Sequence, residues 1–142
     1  MTQAESEALF GDEHVRRYRE TGGEVGHVWK KGSKILLLTT TGRKSGAPRT
    51  HALIYGDDGS GTLALVASKG GSPEHPAWYL NLVDDPDVEI ELLDEEFKAK
   101  ARTANDEERA HWWPIMNAEW PDYDNYQEKT DREIPVVLIE RA

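Results

Sequence analysis

Thr39-Thr40-Thr41 runs into Gly42-Arg43-Lys44-Ser45-Gly46-Ala47-Pro48-Arg49. A hydroxyl-rich stretch entering a turn with two glycines exposes backbone N–H groups beside guanidinium and ammonium donors. That is the chemistry of phosphate and carboxylate binding: arginine offers a planar fork and lysine a point charge. The GxxxxGK[ST] order is absent and a strand follows, so this is no Walker loop. The plainer alternative is a solvated basic hairpin turn.

A second stretch runs from Ala67-Ser68-Lys69-Gly70-Gly71 through His75-Pro76-Ala77-Trp78-Tyr79-Leu80-Asn81. A strand end would deliver Ser68 and Lys69, and the glycine pair allows close approach to the backbone. The following helix start favours negative charge. The third stretch holds Trp112, Trp113, Trp120, Tyr123 and Tyr126 within fifteen residues. These rings either cover the end of a core or form an apolar, hydroxyl-bearing pocket for a planar ligand.

Other chemistries lack their residues. There is no cysteine, which removes disulfides, thiolate metal sites and thiol nucleophiles. His14, His27, His51, His75 and His111 show no HExxH spacing, and no GxSxG elbow is present. Redox chemistry would need a bound organic cofactor or a metal held by other ligands.

The net charge of −10 argues against nucleic acid as a partner. It is also uneven. Residues 1–70 carry 10 basic and 8 acidic side chains, residues 71–142 carry 7 and 19. Between Val25 and Gly56 there is no carboxylate side chain, yet Lys30, Lys31, Lys34, Arg43, Lys44 and Arg49 fall there. That window asks for an anion. No signal peptide or transmembrane segment is evident, and the cytoplasm is the expected compartment.

These residues must be positioned by short elements. The first twenty residues read as helical, with Asp12 capping His14 to Glu20 and Gly22-Gly23 closing the element. Strand-type runs are expected at Val25 to Trp29, Lys34 to Thr41, Arg49 to Tyr55 and Thr62 to Ser68, with Asp57-Asp58-Gly59 a hairpin turn. Pro76 to Val83 predicts a short helix. Val88 to Leu93 and Phe97 to Thr103 predict a hairpin around Asp94-Glu95-Glu96. Asn105 predicts the cap of a helix reaching about Asn117, kinked at Pro114. A further helix within Trp120 to Thr130 and a terminal strand, Ile134 to Ile139, complete the chain. The pattern points to one α+β domain over residues 1–142, built on an antiparallel barrel. Long βαβ crossovers are missing, which disfavours a Rossmann sheet.

Five segments together, Leu37 to Gly46, Ala67 to Gly71, Pro76 to Leu82, Asp106 to Ala110 and Tyr126 to Arg132, resemble the deazaflavin-dependent nitroreductase and F420H2-dependent quinone reductase family. The resemblance implies a split β-barrel of the flavin-reductase and pyridoxamine-phosphate-oxidase type, with reduced coenzyme F420 as hydride donor. That coenzyme carries a phosphate and a glutamate tail, which would be the anion the basic window seeks. By motif position, Arg43, Lys44, Ser45, Arg49 and Lys69 would hold phosphate and tail. Thr50, His51, Ala52, Leu53 and Ile54 would line the ring. Val66, Ala67, Ser68, Ala77, Trp78, Tyr79, Leu80 and Asn81 would form the remaining cofactor wall, and Tyr123 would close over it. Trp120 and Tyr126 would face substrate. Trp120 stands where nitroimidazole-activating members carry tyrosine, so that hydroxyl is missing here.

The resemblance thus implies a two-electron reductase of a quinone, nitroaromatic or conjugated carbonyl compound, with Ser68, Tyr123 or Tyr126 hydrogen-bonding the acceptor. The alternatives are an FMN enzyme of the same fold, whose cofactor lacks the glutamate tail and would use fewer of the cations, and a non-catalytic deazaflavin carrier. A small planar acceptor is the expected partner, a homodimer is an open assembly, and a lipid quinone would bring the protein to the membrane periphery.

Overall fold

The computed structural model describes residues 9–142, so the part of the expected N-terminal helix before Leu9 lies outside the described residues. Seven strands, β1 (Ile35–Thr41), β2 (Pro48–Ile54), β3 (Gly56–Asp57), β4 (Leu63–Val66), β5 (Asp87–Leu92), β6 (Glu95–Thr103) and β7 (Val136–Arg141), form one antiparallel sheet in the order β2-β1-β5-β6-β7-β4-β3. Among the described residues four α-helices accompany it: α1 (Gly11–Thr21), α2 (Ala77–Asp84), α3 (Asp106–Glu119) and α4 (Tyr123–Glu128).

The sheet curls until its ends meet through side chains. Leu53 of β2 packs on the interior cluster that holds Leu65 of β4, while no ladder joins the two strands. This is the split barrel. Trp78 and Leu82 of α2 plug its interior beside Leu36, Leu38 and Ile90. On β1, Ile35 and Leu37 face the other way and pack against Tyr18 and Val15 of α1. The four-residue apolar run Ile35 to Leu38 is therefore buried on both faces, as period 2 requires. Trp112 and Met116 of α3 cover the outer face of β4 and β7 through Ala64, Val66 and Leu138. No helix of the described residues is long and apolar enough to cross a membrane.

Several boundaries differ from expectation. Val25 to Trp29 is not a strand; it keeps one bridge, Val28 to Lys34, because Gly26 (φ 100°), Lys31 (φ 59°) and Gly32 (φ 74°) turn the backbone out of a ladder. Phe10, not Asp12, precedes the first turn of α1, leaving Asp12 and Glu13 where the helix dipole favours carboxylates. Gly22 closes that helix in the left-handed region, as expected. The β5–β6 turn is Leu93-Asp94, since Leu92 already pairs with Glu95. The last strand starts two residues late because Pro135 has no N–H to give. Asn105 does cap α3, in a reciprocal box with Glu108, and the helix runs to Glu119 with Pro114 inside it.

α1 is fastened at both ends. Arg19 forks onto Glu91 at 2.7–3.0 Å and reaches Thr50 at 3.1 Å. His14 is buried, with Nε2 donating to the Gly26 carbonyl at 2.8 Å. Burial holds its pKa below the ordinary 6.5, opposed by that hydrogen bond. A histidine with a depressed folded pKa contributes stability that is present above the unfolded value and lost as pH falls through the folded one. Stability to urea is therefore expected to fall below about pH 6.5. In His14→Gln the slope should be smaller yet not zero, because burial also lowers His27 and His51. An unchanged slope would exclude His14 as a source.

Candidate functional site

A cavity of about 440 Å³ opens at the split of the barrel. β2 supplies Thr50, His51, Ala52, Leu53 and Ile54, β4 supplies Leu65 and Val66, and the following turn supplies Ser68, Lys69 and Gly70. β2 is an edge strand, so alternate backbone N–H and C=O groups have no partner on β1 and are open to a ligand. Trp78, Trp120, Tyr123 and Tyr126 line it as well.

Beside it lies a recess of about 230 Å³ formed by Gly42, Arg43, Lys44, Ser45, Arg49, His51, Ala77 and Asn81. The β1–β2 turn is shaped by its own bonds: Gly42 N–H donates to Ala47 O and Gly46 N–H to Gly42 O, both at 2.8 Å. Gly46 sits at φ 72°, and the Ser45 hydroxyl accepts from Ala47 N–H at 3.1 Å. Buried Asn81 accepts from the Arg43 backbone N–H at 3.2 Å and from its Nη1 at 3.0 Å, and donates to Thr40 at 3.1 Å. Asn81 therefore positions the cation loop.

The structure divides the carboxylate-free window in two. Lys31 pairs with Asp122 and Lys34 with Glu119, each at 2.9 Å, while Lys30 lies over Trp29. Lys44 and Arg49 have no carboxylate partner among the described residues. The demand for an anion is thus confined to the recess. Lys69 is held at φ 46° and sits 3.6 Å from Glu74, both side chains exposed.

His51 lines both spaces. Its Nδ1 is buried and has no hydrogen-bond partner among the described residues. Burial, helped by the positive Arg49 and opposed by Asp12, holds its pKa below the ordinary value, so the ring is neutral at neutral pH.

The turn carrying Ser68 and Lys69 is anchored from below. Arg132 donates to Ser72 O at 2.8 Å, Ala67 O at 3.2 Å and Ser68 O at 2.7 Å, and its Nη1 lies 3.1 Å from His75 Nδ1. Gln127 in turn donates to Arg132 O at 2.8 Å and accepts from Arg109 at 3.0 Å and Ile134 N–H at 2.9 Å. Gly71 explains the second glycine of the pair: at φ 84°, an added Cβ would meet the Tyr126 carbonyl at 2.7 Å.

On the aromatic wall, the Tyr123 ring meets Tyr126 edge-on at 6.1 Å, and Trp120 Nε1 donates to the Tyr126 hydroxyl at 3.2 Å. Tyr123 is buried, and its own hydroxyl has no partner among the described residues. Burial, with Tyr126 and Glu119 adding to it, pushes its phenol far up. It therefore stays protonated and able to donate.

The fold gathers most of the candidate residues around these two spaces, with exceptions. Ala67 is buried in the barrel interior, Tyr79 bonds Thr103 at 2.8 Å through its hydroxyl, and Leu80 lines neither space. Missing from the sequence reading are Phe10, Asp12, His14 and Val15 of the α1 end, Trp29, and the anchors Arg132 and Gln127. The weak apolar spacing of Phe10, His14, Val15 and Tyr18 was the one signal that α1 faces a cavity.

Comparison with known proteins fits this geometry. The family described as F420H(2)-dependent quinone reductase matches residues 11–141. The chain is 44% identical over 131 residues to the F420H(2)-dependent quinone reductase Rv1261c of Mycobacterium tuberculosis (strain ATCC 25618 / H37Rv), covering 90% of this chain and 87% of that protein. A structure described as an F420-H2 dependent reductase (FDR-A) superposes with a TM-score of 0.69 at 45% identity, over 75% of this chain and 93% of the other. Another, described as a domain-swapped dimer, gives 0.70 at 41% identity, over 89% and 96%. A split barrel whose open seam joins an aromatic cavity to an unneutralised basic recess thus carries a sequence match along nearly its whole length, and the chain belongs to the F420H2-dependent quinone reductase family.

Proposed function

We propose that this chain transfers a hydride from F420H2 to a quinone or another planar conjugated acceptor, such as a nitroaromatic or enone. The residues fit the coenzyme. Lys44 and Arg49 offer unneutralised charge to a phosphate and carboxylate tail, and the β2 edge offers backbone groups to a planar polar ring. The observation that carries the reading is His51, which borders both spaces with a buried nitrogen lacking a partner, where a bound polar group would satisfy it. FMN would leave part of this cation set unused.

When bound, F420H2 supplies the hydride and a proton, and a quinone that takes up both becomes the hydroquinone. The protein's part is orientation, exclusion of water and a hydrogen bond at the acceptor oxygen. Tyr123 is assigned that bond, since it lines the cavity and its hydroxyl is protonated and unpartnered among the described residues. Ser68, buried at the cavity wall, is the second donor. Tyr126 already accepts from Trp120, which fixes its ring; its hydroxyl proton is left to donate. Arg43, Ser45 and Lys69 support the tail, and Asn81 and Arg132 hold the two loops that present these groups.

The test is oxidation of F420H2 by menadione with and without the protein; no rate above the protein-free control overturns the reading. In Tyr123→Phe, turnover is expected to fall roughly 100–1,000-fold with coenzyme affinity nearly unchanged, in line with losing one transition-state donor. A homodimer, supported by the domain-swapped relative, and a cytoplasmic setting belong to the same proposal. Sedimentation at micromolar concentration tests the dimer.

A further inference from the structure

We infer that Trp29 sets the size of acceptor this site takes, as the outer half of a two-indole slab closing the acceptor end of the cavity. The inference rests on the reductase reading above and adds to it a residue from outside the barrel strands.

Residues 27–35 form a tight excursion ahead of β1. Trp29 N–H donates to Ser33 O at 2.8 Å and Ile35 N–H to His27 O at 2.7 Å, with the Val28–Lys34 bridge between them. The excursion points Trp29 at the α3–α4 junction, where it stacks on Trp120 with centroids 5.6 Å apart and planes 18° from parallel. Two ion pairs flank the stack, Lys31 to Asp122 and Lys34 to Glu119, each at 2.9 Å. The Lys31 ammonium also lies 4.7 Å from the Trp120 ring centroid. Trp29 Nε1 donates to Leu9 O at 3.0 Å, and Trp120 Nε1 is taken by Tyr126. Both indoles are thus fixed edge and face.

Both rings line the cavity and neither lines the basic recess. They can therefore act on the acceptor without touching the coenzyme's anionic tail. About 440 Å³ lies low in the range of roughly 300–1,000 Å³ for one drug-sized ligand. Here a coenzyme ring and an acceptor must share it. Under that crowding a rigid flat wall limits how far an acceptor can extend, and the slab suits a two-ring quinone better than a third fused ring.

The experiment compares menadione with phenanthrenequinone in wild type, Trp29→Ala and Lys31→Ala. Two ratios are read: that of kcat/KM with F420H2, and that of the equilibrium dissociation constants for the quinones, followed by quenching of tryptophan fluorescence. In Trp29→Ala both ratios should move about tenfold toward the three-ring quinone, the scale of one pocket-size change. Lys31→Ala, which loosens the clamp and leaves the indoles in place, should move them less and in the same direction. F420 affinity should not change in either variant. Unmoved binding ratios overturn the inference, and so does a weakened F420 affinity, which would put Trp29 on the coenzyme. If wild type reduces neither quinone, the reductase reading fails, while the binding ratios still decide Trp29.

Discussion

Lys44→Ala/Arg49→Ala is expected to weaken binding of F420 by roughly 30–100-fold at low ionic strength, and to remove most of the salt dependence of that binding. A charge-assisted hydrogen bond contributes about 1.5–3 kcal/mol. Both side chains are exposed, so solvent screening places each near or below the bottom of that range. Two contacts then give about 2–3 kcal/mol, and each 1.4 kcal/mol is a factor of ten. Asn81 keeps the loop in place without them, through its bonds to Arg43 and Thr40, so the variant tests charge and not folding. Lys31→Ala is the control: its ammonium is already neutralised by Asp122, and its loss should leave affinity unchanged. Fluorescence titration of the coenzyme at two salt concentrations reads both numbers. Equal affinity in wild type and double variant would place the anion outside the recess.

The division that makes this prediction sharp could not be read along the chain. In the sequence all six cations of the window look alike, because the carboxylates that neutralise Lys31 and Lys34 arrive from α4's approach and the end of α3, far downstream. The strands were easier. β1, β2, β5 and β6 alternate apolar residues with polar ones or form a short apolar run between turn residues, and period 2 with hairpin turns is a local signal. Val25 to Trp29 has the same composition and is not a strand, because three positive-φ residues at 26, 31 and 32 outweigh its β propensity. α1 was legible as a helix, but its few apolar side chains are scattered among charges. That Phe10, His14 and Val15 roof a cavity follows from packing on β1 and β2, which no local pattern encodes. The cation turn and the aromatic cluster were legible because each is contiguous, the β2 wall was implied only by the family resemblance, and what remained hidden consists of single residues brought in from a distance.

Arg132 is the clearest of these, and its replacement should have the largest structural effect. In Arg132→Ala three backbone carbonyls, of Ala67, Ser68 and Ser72, each lose one donor at once, Ser68 O keeping its bond from Gly71 N–H, and His75 Nδ1 loses its neighbour. Leaving one buried acceptor unmet costs about 1–3 kcal/mol. Arg132 is only partly buried, so water replaces some of these bonds, and a total near 2–4 kcal/mol is expected. With a urea slope of about 1–3 kcal/mol per molar, the midpoint should drop by roughly 1–2 M. The damage should be local before it is global. The turn from Ser68 to Ser72 keeps its internal bonds, Gly71 N–H to Ser68 O at 2.9 Å and Ser72 N–H to Lys69 O at 3.1 Å, but loses the guanidinium that fixes it to the segment after α4. Amide exchange at Gly71 and Ser72 should therefore rise more than exchange in β1 or β6. Ser68 and Lys69 would lose their places on the cavity wall, and F420 affinity should fall although Arg132 lines neither space. Arg132→Lys separates charge from geometry: an ammonium keeps the charge but cannot span three carbonyls with a planar fork, so it should recover only part of the loss. Full recovery by lysine, or exchange that rises evenly through the barrel, would show that the guanidinium does not act as the anchor of this turn.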